Sequence, residues 1–130
     1  MTPLTLEWVE KAEEDFHVAQ RECRARKFPS HNAACFHAQQ CVEKYLKARL
    51  QEAGTPFPRT HSLPALLQLV LAVEPLWSAL SPALNNLNAY GVNFRYPGAN
   101  ASKADARQAL KDCARRAKRH DSASDCQSEL

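Results

Sequence analysis

The stretch from Phe36 to Ala48 constrains the fold of this chain more than any other. Phe36, Gln40, Glu43 and Lys47 follow at intervals of four, three and four, which places them on one face of an α-helix. Ala34, Ala38, Cys41, Tyr45 and Ala48 make the adjoining stripe at the same period. Small residues on that stripe let another helix approach closely. The edge Gln-Gln-x-x-Glu-Lys-x-x-Lys is too ordered for a merely solvated face. If Gln39 and Gln40 turn inward, burial without partners is costly, so they should hydrogen-bond across a helix or a dimer interface.

The rest of the chain also reads as helix. Thr5 is expected to cap a first helix on which Trp8, Ala12, Phe16, Ala19 and Cys23 form one stripe, running to about Lys27. Phe28-Pro29-Ser30 breaks it, and Ser30 caps the helix that ends near Gly54. After a stiff Thr55–Pro58 linker, Ser62 caps a third helix carrying Leu63, Leu66, Leu67, Val70 and Leu71. Glu74-Pro75 interrupts it, and Ser81-Pro82 starts a segment with Leu84, Leu87 and Tyr90. Residues 91–100 contain Pro97-Gly98 and read as a loop. Ser102 and Asp105 resemble a capping box for a last helix with Ala106, Ala109, Leu110, Cys113 and Ala117 inward. No segment has strand period. The expectation is an all-α, up-and-down bundle of four long helices plus one short helix over residues 1–120, with a flexible polar tail over 121–130.

Composition narrows the function classes. At 130 residues the chain makes one core, and a net charge of +3 does not by itself imply nucleic acid. No apolar run approaches a membrane span, and the acidic start is not a signal peptide, so a cytoplasmic protein is expected. Five cysteines without a C-x-x-C pair fit reduced thiols. His31/Cys35 and His37/Cys41 lie one turn apart, but nothing supplies further ligands, so neither metal nor other cofactor is expected. Charge is uneven. The first helix holds Glu7, Glu10, Glu13, Glu14, Asp15 and Glu22, whereas the last holds Lys103, Arg107, Lys111, Arg115, Arg116, Lys118 and Arg119. Either the two helices complement each other, or the last presents a basic surface to phosphate or RNA, without interleaved aromatics.

Four blocks in order carry a family resemblance: Ala12, Glu14, Asp15 and Ala19; the Q-Q-x-x-E-K-x-x-K-A run from Gln39 to Ala48 with Phe36; Thr60-His61-Ser62-Leu63; and Arg95-Tyr96-Pro97. Over about residues 7–118 the chain resembles the HEPN domain. The resemblance implies a helical bundle, usually homodimeric, in toxin–antitoxin or nucleotidyltransferase-linked systems. Many such proteins are metal-independent ribonucleases with an arginine, four to six residues, then a histidine near the start of the last helix. Here Arg95 stands where that motif begins, yet no histidine follows in the window. Arg115 and His120 match formally, but at the far end of the last helix.

The expected function is therefore a non-catalytic or catalytically degenerate HEPN homodimer that binds a nucleotide or RNA phosphate, or partners a nucleotidyltransferase. Alternatives are a ribonuclease toxin with a diverged site built from Arg95 and Tyr96, or a dimerisation module alone. Arg95 offers a planar fork to a phosphate and Tyr96 a ring to a base. Lys44, Lys47, Gln40 and His61 are expected at the same ligand. Against this, Arg95 could pair with Glu43 or Asp15, and Glu43 with Lys47 could be an ordinary i, i+4 pair.

Overall fold

The computed structural model describes residues 1–94 and 97–123, with side chains described up to Arg115 except those of Gly91 and Val92. Its elements are α1 (Pro3–Arg24), α2 (His31–Ala53), α3 (Leu63–Val70), a 3₁₀ segment (Pro75–Leu80), α4 (Ser81–Asn93) and α5 (Lys103–Ala123). The described residues contain no strand, and the fold is an all-α bundle. Residues 124–130 of the expected tail lie outside the described residues.

Local chemistry sets most boundaries. Ser30 Oγ accepts from the Ala33 amide, and Ser62 Oγ from the Ala65 amide. Ser102 and Asp105 form the reciprocal box: the Asp105 amide donates to Ser102 Oγ at 3.0 Å and the Ser102 amide to Asp105 Oδ2 at 2.9 Å. Gly54 closes α2 at φ 72°, donating to Gln51 O and Leu50 O. Four expectations need correction. Thr2, not Thr5, caps α1, because Thr2-Pro3 joins a capping hydroxyl to a proline at the first helical position. Thr5 is buried in that turn, its hydroxyl 2.8 Å from that of Thr2. Helix α1 stops at Arg24, before Lys27, and α3 stops at Val70, before Leu71. Ser81 continues directly from the 3₁₀ segment, whose Trp77 and Leu80 are buried, and so does not cap a fresh start.

Helix α2 is the central strut and packs against α1, α3, α4 and α5. Being surrounded, it buries the small stripe of Ala34, Ala38, Cys41 and Ala48 together with Val42, Leu46 and Leu50. Ala12 and Ala19 of α1 are likewise fully buried, and small side chains on both helices permit close approach. Helices α1 and α2 run antiparallel: the Thr2 amide donates to Glu52 at one end, and the Ser30 amide to Glu22 at the other. Leu63, Leu66, Val70, Leu84 and Leu87 complete the core.

One buried carboxylate works against this packing. Asp112 on α5 is 5% exposed; its Oδ1 accepts from Gln108, while Oδ2 has no hydrogen-bond partner among the described residues. Burial raises its pKa above 3.8, with Gln108, Asn86, Arg115 and Lys111 pulling the other way. The folded chain then holds this proton to higher pH than the unfolded chain. Stability therefore falls as pH rises from 3.8 through the raised folded value, and stays level above it. Asp112→Asn has no charge to desolvate. Thermal denaturation should show it more stable than the parent at neutral pH by on the order of 1 kcal/mol, with the gain shrinking toward acid.

Candidate functional site

The polar residues of α2 close around one carboxylate. Glu43 is 3% exposed, and Lys47 one turn later donates to its Oε2 at 2.9 Å. Gln40 Nε2 donates to Glu43 Oε1 at 3.3 Å, and His61 Nδ1 lies 3.1 Å from both carboxylate oxygens. The Gln40 amide also donates to Gln39 Oε1 at 2.8 Å, and Gln39 Nε2 donates to the His61 carbonyl at 3.0 Å. Both glutamines thus find partners within the chain. They tie α2 to the linker that enters α3. Lys47 also lies 5.6 Å from the centre of the Trp8 ring, which meets Phe57 edge-on.

The Glu43–Lys47 pair has the expected spacing but not the surface setting of an ordinary helix pair. The two side chains are only 4% and 9% exposed. Desolvation offsets most of the attraction of such a pair, yet removing one partner strands a buried charge. A second carboxylate repeats the arrangement between helices. Asp15 of α1 receives Lys44 Nζ on Oδ2, and His37 Nδ1 lies 2.7 Å from Oδ1.

Of the six residues expected at a ligand, Lys47, Gln40 and His61 meet at Glu43, while Lys44 turns to Asp15. Arg95 and Tyr96 lie outside the described residues. The flanks of their loop are placed: Phe94 stacks on Tyr90, Asn32 Nδ2 donates to Asn100 Oδ1 at 3.1 Å, and the Ala101 amide donates to Asn32 Oδ1 at 2.7 Å. Asn100 and Ala101 so lie at the N-terminal end of α2, about 18 Å of helix rise from Lys44.

His61 is the outward member of the Glu43 cluster, its side chain 71% exposed. Nδ1 faces the carboxylate, and Nε2 has no protein partner among the described residues. Of the two His/Cys pairs one turn apart, His31 Nδ1 is buried without a hydrogen-bond partner among the described residues. His37 faces Asp15, and burial pushes the Cys35 thiol up to about 12, with Asp105 and Cys23 adding to the shift. Among the described residues no three of His, Cys, Asp and Glu are grouped to hold a metal. His37 as a partner of Asp15 escaped the sequence reading. The spacing of His37 and Lys44, two turns apart on one face, was the available signal.

A bundle with this central polar helix and this cluster defines a recognisable class. The chain matches the HEPN domain over residues 5–117 and belongs to that family. It is 30% identical over 122 residues to the protein named "Putative toxin MJ1304" of Methanocaldococcus jannaschii, covering 81% of this chain and 78% of that one. No solved structure matches it.

Glu43→Gln leaves Lys47 without a counter-charge in a buried setting. Urea denaturation should show a loss of about 3 kcal/mol or more, and Glu43→Leu combined with Lys47→Met should recover most of it. Equal losses in the single and double variants would show that the ion pair does not carry the effect.

Proposed function

We propose that this HEPN chain acts as a homodimer in a cytoplasmic, toxin–antitoxin-like system, where it binds a nucleotide or RNA phosphate or partners a nucleotidyltransferase, without cleaving RNA. The family and the toxin-named relative support the general setting. No helix among the described residues is long and apolar enough to cross a membrane. The observation that carries the non-catalytic reading is what fills the histidine window after Arg95. Positions 100–102 hold Asn100, bonded to Asn32; Ala101, 8% exposed; and Ser102, which caps α5. Each is committed to closing the bundle, and none can carry a proton as imidazole does.

Arg95 and Tyr96 are proposed as the phosphate and base contacts. Lys44, Lys47, Gln40 and His61 serve as positioning residues that act through Asp15 and Glu43. A ribonuclease with a diverged site is the second reading, favoured by one feature: Glu43 holds His61 so that Nε2 is left for proton transfer.

Two measurements test this. Light scattering at micromolar concentration should report about twice 14.6 kDa, whereas a monomer would overturn the dimer. Incubation with total RNA should give no cleavage above a heat-inactivated control, since a general acid–base group supplies about a hundred- to ten-thousand-fold in rate. Cleavage that disappears in His61→Ala or His120→Ala would establish the ribonuclease instead.

A further inference from the structure

The turn between α1 and α2 spends backbone strain on an exposed ring. Phe28 is 96% exposed and sits at φ 51°, directly before Pro29. Positive φ is unfavourable for a bulky residue, and a following proline narrows its choices further. Nothing in the packing returns that cost, because the ring buries no surface. Strain retained at an exposed position points to a ligand.

The surroundings of the ring are cationic. Arg21, Arg24, Arg26 and Lys27 are all exposed, and none forms an ion pair among the described residues. The one acid between residues 21 and 30, Glu22, is taken up by the Ser30 amide at 3.0 Å. Near the end of α1, α1 and α5 form an open groove of about 380 Å³ lined by Phe16, Cys23, Leu110 and Ala114 together with Arg107 and Lys111, and its exposed surface is almost wholly apolar. These two cations are also exposed and without ion pairs among the described residues. Asp105, the acid nearest the start of α5, is held by the Ser102 amide. The other acids of α1 stand away from this turn, with Glu7, Glu10 and Glu14 near Lys11.

We infer that this turn and groove bind a single-stranded nucleic acid, RNA on the reading above, on which the inference rests. Phe28 stacks on one base, Arg24, Arg26 and Lys27 take the adjoining phosphates, and Arg107 and Lys111 hold the strand as it follows the groove. The basic last helix lacked an interleaved aromatic in sequence; the fold supplies one from the neighbouring turn. A second copy of this face is disfavoured here, since a two-fold contact would set the same cations against each other.

Fluorescence anisotropy of the full chain with a labelled single strand of about twelve nucleotides tests this, with RNA, DNA and duplex RNA as separate arms. The single strand should bind, more weakly as salt rises from about 50 to 200 mM, and the RNA and DNA arms identify the natural chemistry. Phe28→Ala should weaken binding at least fivefold and Phe28→Trp should restore it. Arg26→Ala with Lys27→Ala should weaken binding and flatten its salt dependence. If RNA binds but Phe28→Ala changes nothing while Arg95→Ala abolishes binding, this inference fails and the reading above survives. If no nucleic acid or nucleotide binds at low salt, both fail. Equal affinity for duplex, or loss of dimer mass in Phe28→Ala with RNA binding intact, would overturn the inference, the latter in favour of a protein contact.

Discussion

The carboxylate of Glu43 is the constraint around which the other elements are arranged. A charge at 3% exposure must be met in full, and it is met from three directions: Lys47 and Gln40 on its own helix, and His61 on the linker. Gln39 then fixes the backbone of that linker, so the start of α3 is held one residue before its Ser62 cap. The polar face of α2 is therefore an interior seam between three segments. Asp15 repeats the device between α1 and α2. Packing energy alone would allow α2 some freedom of rotation among alanines; unmatched charges would not.

Much of this was legible because the signals were local. Helical period on α2 and the hydroxyl caps at Ser30, Ser62 and Ser102 depend on residues within one turn, and each formed as read. The Thr2 cap was readable by the same rule, since Pro3 follows it, but Thr5 competed. The 3₁₀ segment was not readable, because burial of Trp77 and Leu80, a tertiary event, holds it. The candidate site divides likewise. Glu43 with Lys47 follows from spacing, whereas Asp15 with Lys44 and His37 depends on the antiparallel register of two helices. Which cations are neutralised and which remain available could only come from that register.

Position, more than net charge, thus separates the roles of the cations. Lys44 and Lys47 hold the frame and face carboxylates. Arg24, Arg26 and Lys27 stand exposed just before Phe28 in the chain, and Arg107 and Lys111 are exposed along the α1–α5 groove. Asn100 and Ala101 are tied to Asn32, in the first turn of α2. A net charge of +3 conceals this segregation, because 17 basic and 14 acidic residues nearly cancel in the sum.

Amide chemical-shift mapping of the full chain, titrated with a short single-stranded RNA, tests whether α2 supplies an interior frame while a ligand is met at the end of the bundle. Perturbations are expected over residues 24–28, residues 95–96 and the first turns of α5, with Gln39 through Lys47 and His61 little changed. Perturbations concentrated on Lys47 and His61, with residues 24–28 silent, would contradict it.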